Sequence, residues 1–147
     1  MSLHIRPSSV SSILALAAVF AAGALTGPHL GLAAQPAAKV YELRTYTAPE
    51  GKLADLHARF RDHTLRIFQK HGMTSVIYLA PTDAPLKDNT LVYLLAHQSR
   101  DAAQKSWDAF RNDPEWKKVA SESQMNGPIV SKVESVFLQA TDYSPMK

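Results

Sequence analysis

Apolar side chains recur with two different spacings in the stretch of chain that follows residue 39. Residues 40–47, VYELRTYT, alternate with a period of two and are rich in aromatic and β-branched side chains, which predicts a strand. Proline and glycine at 48–51 indicate a turn. From 52 to 71 the apolar residues are spaced by three and four, which predicts a helix that stops at Gly72.

The second half of the chain shows the same change of spacing. It predicts strands at 73–80 and 90–96, separated by a loop. Ser99 is a suitable N-cap for a second helix, and Asp113, which is followed by proline, is a suitable N-cap where that helix restarts. A last strand is predicted at 129–140, after a helix-breaking Asn-Gly-Pro sequence.

The predicted order of elements is β-α-β-β-α-β, which is typical of the ferredoxin-like, split βαβ fold. We therefore predict an α+β domain in which a four-stranded antiparallel sheet has both helices on one face. The other face would be bare, and a large exposed apolar patch marks an interface. We predict that this face packs against a second copy of the chain to form a homodimer.

The N-terminal segment has the pattern of a secretory signal peptide. Arg6 precedes an uninterrupted apolar run of 13 residues at 13–25, and small side chains follow that run. An uncleaved membrane anchor is the alternative, but a membrane-spanning helix needs about 20 residues. We predict a signal peptide at 1–33, a flexible lead-in at 34–39, and an exported protein, periplasmic or secreted, with no stable membrane insertion after cleavage.

Composition and charge exclude several classes of protein. The 147 residues allow one domain after the signal segment. The chain has 16 Lys and Arg against 13 Asp and Glu, which is too even for the clustered basic charge of a nucleic-acid-binding surface. Nucleic acid is therefore not a predicted partner. With no cysteine, the chain has no disulfide, no thiolate metal site and no cysteine nucleophile.

Four short motifs together resemble the NIPSNAP family, a branch of the dimeric α/β-barrel superfamily: YELRTYT at 41–47, PEGKL at 49–53, KHG at 70–72 and NDPEW at 112–116. The resemblance implies a ferredoxin-like subunit whose sheet packs against its twin in a shared barrel. The resemblance covers roughly residues 40–138, and we predict a domain at 40–140 followed by a polar tail at 141–147. It implies no reaction, because the family has no agreed catalytic residues.

A ligand site is predicted beside the first helix. Leu56, Phe60 and Ile67 would give this helix an apolar wall, with His63 at its rim. Small-molecule sites are mostly apolar clefts with a few placed polar groups. We therefore predict a pocket between this helix and the sheet, with Phe60, His63 and Ile67 as ligand-binding residues. The alternative is a histidine that only makes a local hydrogen bond on the helix flank.

Arg44 and Tyr46 form a second, separate candidate for ligand binding. They share one face of the first strand with Glu42, and the planar guanidinium of Arg44 suits an anionic ligand. We expect this set on the bare face of the sheet, where it would make a barrel interior partly polar. The alternative to a ligand is a cross-strand ion pair between Arg44 and Glu134.

No catalytic residue, metal site or cofactor is predicted. No two histidines have the spacing that presents two metal ligands from one helix, and the sequence has neither a nucleophile elbow nor a glycine-rich phosphate loop. Three functions stay open. The first is a dimer that binds a small molecule or partner without catalysis. The second is a cofactor-free monooxygenase-like or haem-handling enzyme, and the third is a structural interaction module.

Overall fold

The computed structural model describes residues 39–146, which contain a four-stranded antiparallel sheet in the order β2-β3-β1-β4. Its strands are β1 (Val40–Thr47), β2 (Thr74–Leu79), β3 (Thr90–His97) and β4 (Lys132–Gln139). This confirms the α+β class and the ferredoxin-like strand order. The predicted signal peptide and nearly all of the predicted lead-in lie outside the described residues.

The helical layer has α1 (Leu53–Arg59), a π-helical turn (Phe60–Thr64), α2 (Leu65–Lys70), α3 (Arg100–Asn112) and α4 (Pro114–Glu122). A 3₁₀ turn, Leu86–Asp88, lies in the loop before β3. The two predicted N-caps are confirmed. Ser99 Oγ accepts a hydrogen bond from the N–H of Ala102 at 3.0 Å, and Asp113 Oδ1 accepts one from the N–H of Glu115 at 2.8 Å.

The first predicted helix is continuous but contains a π-helical turn at its centre. At this turn the N–H of Leu65 donates to the carbonyl of Phe60, five residues earlier. The Thr64 hydroxyl donates to the carbonyl of Arg59 at 3.2 Å. Single π-helical turns within α-helices are rare and frequently lie at functional sites.

The last strand is shorter than the sequence predicts. It begins at Lys132 rather than at residue 129, because Ile129 is buried in the core beneath the helices. The N–H of Ser131 donates to the carbonyl of Thr47 at 2.8 Å, which brings the chain to the sheet edge. Gly127, with φ of +97°, makes the turn that leads there from α4.

The charged residues of β1 lie on the face of the sheet that the helices cover. Trp107 of α3 donates its indole N–H to Glu42 Oε2 at 2.7 Å, so Glu42 faces the helical layer. Because side chains alternate along a strand, Arg44 and Tyr46 face the helices too. The prediction that this set lies on the bare face is therefore wrong. A sheet face can hold charges beneath helices when the helices supply hydrogen-bond partners.

The opposite face, which we call the open face, has an apolar surface. The strand register places Tyr41 and Leu43 of β1 on this face, beside Leu138 and Val136 of β4. The exposed apolar side chains on this face are Ile77, Leu79, Val136 and Leu138, each between 41% and 53% exposed. Ser144 and Met146 of the C-terminal tail line a recess of about 200 Å³ at one end of it, together with Tyr41 and Leu138.

Candidate functional site

A buried polar cluster lies between the sheet and α3, centred on the carboxylate of Glu42, which is 1% exposed. Four side chains contact this carboxylate. Arg44 Nη1 and Ser135 Oγ each donate to Oε1 at 2.7 Å, while Trp107 Nε1 donates to Oε2 at 2.7 Å and His97 Nε2 lies 3.1 Å from Oε2. The carboxylate is thus fully occupied by this chain's own side chains.

The four contacts decide the charge state of Glu42. Burial alone would raise the pKa of a carboxyl group, because it disfavours the charged form. Here the hydrogen bonds from His97, Ser135, Trp107 and Arg44 outweigh burial and lower the pKa of Glu42 from 4.5 to about 2. Glu42 is therefore ionised at neutral pH, and it balances the charge of the Arg44 guanidinium beside it.

Aromatic rings continue the cluster toward the first helix. The Arg44 guanidinium lies over the Trp107 ring at 4.2 Å from its centroid. The Tyr46 and Tyr93 rings meet with centroids 5.4 Å apart, and Phe60 packs against both. Burial, reinforced by the neighbouring Tyr46, raises the pKa of Tyr93 well above its ordinary value. Tyr93 is therefore a neutral hydrogen-bonding group near neutral pH.

Arg59 is the second buried cation of this region. It is the last residue of α1, immediately before the π-helical turn, and it is 6% exposed. Its guanidinium lies 5.2 Å from the centroid of the Trp116 ring, and Nη1 donates a long, 3.4 Å hydrogen bond to Ser123 Oγ. Burial lowers the pKa of Arg59, against the opposing influence of Tyr46 and Tyr93.

Three buried polar atoms in this region make no hydrogen bond of normal geometry to any described residue. They are Nε of Arg44, Nε of Arg59 and the hydroxyl oxygen of Tyr93. A buried polar atom without a partner costs about 1–3 kcal/mol, and native proteins contain few of them. All three belong to residues that surround the Tyr46–Tyr93 pair.

A cleft of about 350 Å³ opens from the protein surface onto Arg59. It lies between the first helix and α4, and its walls are formed by Asp55, Ala58, Arg59, Asp62, His63, Val119, Glu122, Ser123 and Asn126. Two of its acidic residues are paired: Asp55 with Lys52 at 3.3 Å and Glu122 with Lys118 at 3.9 Å. Within residues 39–146, no group of acidic and histidine side chains could hold a metal ion.

The structure separates the five predicted site residues into three places. His63 is exposed and lines the cleft between helices, whereas Phe60 and Ile67 are in the core, 5% and 0% exposed. The space between the first helix and the sheet is filled by such side chains, so the cleft does not lie there as predicted. Arg44 and Tyr46 lie in the buried cluster. Their roles in ligand binding, and that of His63, stay predictions.

The predicted alternative for Arg44, an ion pair with Glu134, is wrong by one residue of strand register. Arg44 lies opposite Ser135, and Glu134 lies opposite Thr45 on the open face. Arg44 pairs instead with Glu42 two residues earlier on its own strand. Glu134 pairs with Lys132 at 2.9 Å. Glu42 and Glu134 therefore each pair with a cation on the same strand and the same face of the sheet.

Sequence reasoning missed Arg59, the residue that joins the cleft to the buried cluster. Its only signal is its place in the helical stripe, three residues after Leu56 and next to Phe60. A cation at such a position is unusual, because arginine is almost never fully buried without a partner. Tyr93 and Trp107 carried a clearer signal: each is an aromatic residue with a polar atom inside an apolar stretch, which needs a buried partner.

A separate polar junction joins the end of the first helix to the start of α4. Asp113, whose side chain is 1% exposed, contacts His71 Nε2 at 2.6 Å and Lys70 Nζ at 2.7 Å. These two contacts lower the pKa of Asp113 below its ordinary value. Arg66 and Glu115 form an ion pair beside them. The KHG and NDPEW motifs therefore meet in a structural contact, with every charge paired.

Comparison with known proteins gives the same fold. The protein is similar to a NIPSNAP family protein of unknown function from Agrobacterium tumefaciens, with 20% identity over 77% of this chain and 97% of that one and a TM-score of 0.66. It is similar to an uncharacterised NIPSNAP-like domain protein from Burkholderia xenovorans, with 16% identity over 74% and 90% and a TM-score of 0.65.

A more distant similarity is to SnoaB, a cofactor-independent oxygenase from Streptomyces nogalater. Identity is 18% over 74% of this chain and 99% of that one, and the TM-score is 0.51. At this identity the similarity concerns the fold. No curated protein matches the sequence at a significant level. None of the helices formed by residues 39–146 is long and apolar enough to cross a membrane.

The sequence itself decides the family. A sequence model of the NIPSNAP family matches residues 41–145, which include all four motifs and the whole sheet and helical layer apart from Val40, the first residue of β1. The chain therefore belongs to the NIPSNAP family.

Proposed function

We propose that this protein is an exported homodimer that binds a small molecule in the cleft between its first helix and α4. The observation that carries the binding proposal is the cleft itself, which opens from solvent onto the buried residue Arg59. Its volume of about 350 Å³ falls within the range of about 300–1,000 Å³ that small-molecule sites occupy.

The homodimer part of the proposal rests on the open face. Four large apolar side chains on this face are between 41% and 53% exposed, and the described helices all lie on the other side of the sheet. Contiguous exposed apolar surface of this kind marks an interface. Pairing two open faces would bury the apolar side chains of both copies and leave each cleft, on the helical side, accessible to a ligand.

A thermal-shift screen of the domain from Lys39 onward tests the binding proposal. The screen should contain neutral, cationic and anionic small molecules, with haem and aromatic polyketide-like compounds among them. We expect at least one compound to raise Tm. We also expect Ala58→Trp, which fills the cleft, to abolish that shift, whereas Ala109→Trp on the exposed side of α3 should keep it.

His63→Ala provides a second variant in the same screen. A hydrogen bond at the rim of a site contributes about 0.5–1.5 kcal/mol, so this variant should weaken binding without unfolding the domain. A ligand shift that Ala58→Trp leaves unchanged would place the ligand elsewhere. If no compound of any class raises Tm, the protein is better described as an interaction module that binds another protein through its surface.

A cofactor-free oxygenase is the second candidate function, and one observation favours it. The Tyr46–Tyr93 pair lies between two buried guanidinium groups, Arg44 and Arg59, in a fold that SnoaB shares. Cationic and phenolic groups of this kind stabilise an anion that develops on an aromatic substrate. Oxygen uptake with an electron-rich polycyclic phenol in metal-free buffer tests it; uptake that Tyr93→Phe leaves unchanged would contradict this role.

A further inference from the structure

Arg44 and Arg59, the two arginines beside the tyrosine pair, differ in whether a carboxylate neutralises them. Arg44 is neutralised by Glu42 at 2.7 Å. Arg59 has no carboxylate within ion-pair distance among residues 39–146, and its one polar side-chain contact is the long bond to Ser123. A buried charge without a counter-charge is costly, so such groups in native proteins are paired or bind a ligand.

The walls of the cleft also carry hydrogen-bond acceptors, in contrast to the cationic donor Arg59. Asp62 and Asn126 are exposed along the cleft and offer oxygen atoms that accept hydrogen bonds. Since Asp55 and Glu122 are paired with lysines, their charges are partly screened. The cleft therefore has a cation at its buried end and hydrogen-bond acceptors nearer the solvent.

We propose that the ligand of this cleft is a small organic carboxylate that has hydroxyl or amino groups away from its carboxylate. The carboxylate binds the guanidinium of Arg59 at the buried end, and the distal donor groups bind Asp62 and Asn126. A guanidinium matches the geometry of a carboxylate and can form two parallel hydrogen bonds with it. This inference rests on the proposed function and specifies its ligand.

The position of Arg59 next to the π-helical turn supports this assignment independently. The turn displaces the helix by one residue after Arg59, and the carbonyl of Arg59 is held by the Thr64 hydroxyl rather than by a regular helical bond alone. The helix therefore becomes irregular immediately after Arg59, a residue that is buried and also lines the cleft. Irregular helical turns of this kind frequently lie at functional sites.

Matched pairs of acids and amides test the charge of the ligand. We would measure binding of 4-hydroxybenzoate, 3-hydroxybutyrate and 4-aminobutyrate by titration calorimetry, each beside its primary amide. At least one acid should bind about tenfold or more tightly than its amide, because a charge-assisted hydrogen bond contributes more than a neutral one. The parent acid that lacks the distal hydroxyl or amino group should bind more weakly.

Two arginine variants distinguish recognition from a structural role. Arg59→Met should reduce the affinity for the acid to that for its amide while Tm stays equal or rises, because the variant removes an uncompensated buried charge. Arg59→Lys should restore part of the preference for the acid. Arg61→Met, which removes the same charge from an exposed residue two positions away that does not line the cleft, should change neither.

The outcomes separate this inference from the proposed function. If compounds bind and Ala58→Trp blocks them, but acids are not preferred to amides, the binding function stands and the carboxylate assignment is wrong. The same conclusion follows if Arg59→Met lowers Tm and leaves the preference for acids unchanged. If neither the acids nor any compound of the wider screen binds, the proposed function fails and this inference fails with it.

Discussion

The two faces of the sheet differ in which side chains they bury and which they expose. The face beneath the helices contains a polar cluster in which the Glu42 carboxylate contacts Arg44, His97 and Trp107. The open face has apolar side chains exposed to solvent, and its charged residues, Lys132 and Glu134, lie at the end where they pair with each other. Polarity in this sheet therefore follows what each face packs against: the chain's own helices on one side and, in the proposed dimer, a second copy of the chain on the other.

Removing one carboxylate from each face gives the largest expected contrast. Glu42→Ala should destabilise the domain by about 3–5 kcal/mol, because it leaves Arg44 without its buried counter-charge. Glu134→Ala, the matched change on the open face, should alter stability by about 0.5 kcal/mol or less, as surface substitutions usually do. Urea unfolding of both variants measures the difference. Equal losses of stability in the two variants would show that the buried ion pair stabilises the domain no more than the exposed one.

A charge introduced on the open face tests the inferred partner. Val136→Lys places an ammonium group on the apolar face, where a second copy would have to bury it unpaired. We expect the dimer to weaken by about 100-fold or more, since desolvating an unpaired ion costs several kcal/mol. Light scattering over a concentration series measures this. Lys117→Glu, on the outer side of the helical layer, should keep the dimer; a wild-type chain that is monomeric at micromolar concentration would contradict the premise.

Acid should weaken the covered face selectively. The pKa of Glu42 is about 2 in the folded protein and 4.5 ordinarily, so its contribution to stability is complete above about pH 4.5 and is lost as pH falls toward 2. The stability difference between wild type and Glu42→Gln should therefore shrink across this interval. Urea midpoints of both proteins at a series of pH values measure it. A difference that is independent of pH would contradict the charged state assigned to Glu42.

The smallest expected effect belongs to His63. Its side chain is exposed at the cleft, so His63→Ala should change the free energy of unfolding by about 0.5 kcal/mol or less. Differential scanning calorimetry without ligand measures this. A loss of several kcal/mol would mean that His63 is part of the folded core rather than the cleft, and its use as a binding-site variant would be compromised.

Much of the fold was predictable because it depends on local spacing. The alternation at β1, the caps Ser99 and Asp113 and the proline at 114 each act within a few residues, and each is where the sequence indicates. The predicted start of β4 was wrong because an apolar residue such as Ile129 can belong either to a strand or to the core segment that precedes a strand. Spacing alone does not distinguish these two uses.

The candidate site was less predictable because it depends on which elements meet. Alternation along β1 separates Glu42 and Arg44 from Tyr41 and Leu43, but it does not say which set the helices cover. The polar set is inside because α3 supplies Trp107 and β4 supplies Ser135, and both partners are distant in sequence. Arg59 packs against Trp116 of α4 and contacts Ser123 at the end of that helix, and no local pattern predicts these contacts.

Asp113 has a consequence for how the sequence can vary. One oxygen of its carboxylate is shared by His71 and Lys70, while the other holds the N–H of Glu115 at the start of α4. The KHG and NDPEW motifs, some forty residues apart, are therefore coupled through a single side chain. Substitutions in the two motifs should therefore show epistasis. Once Asp113 is replaced, His71 has lost its partner, so a further substitution of His71 should reduce stability by less than it does in the wild-type chain.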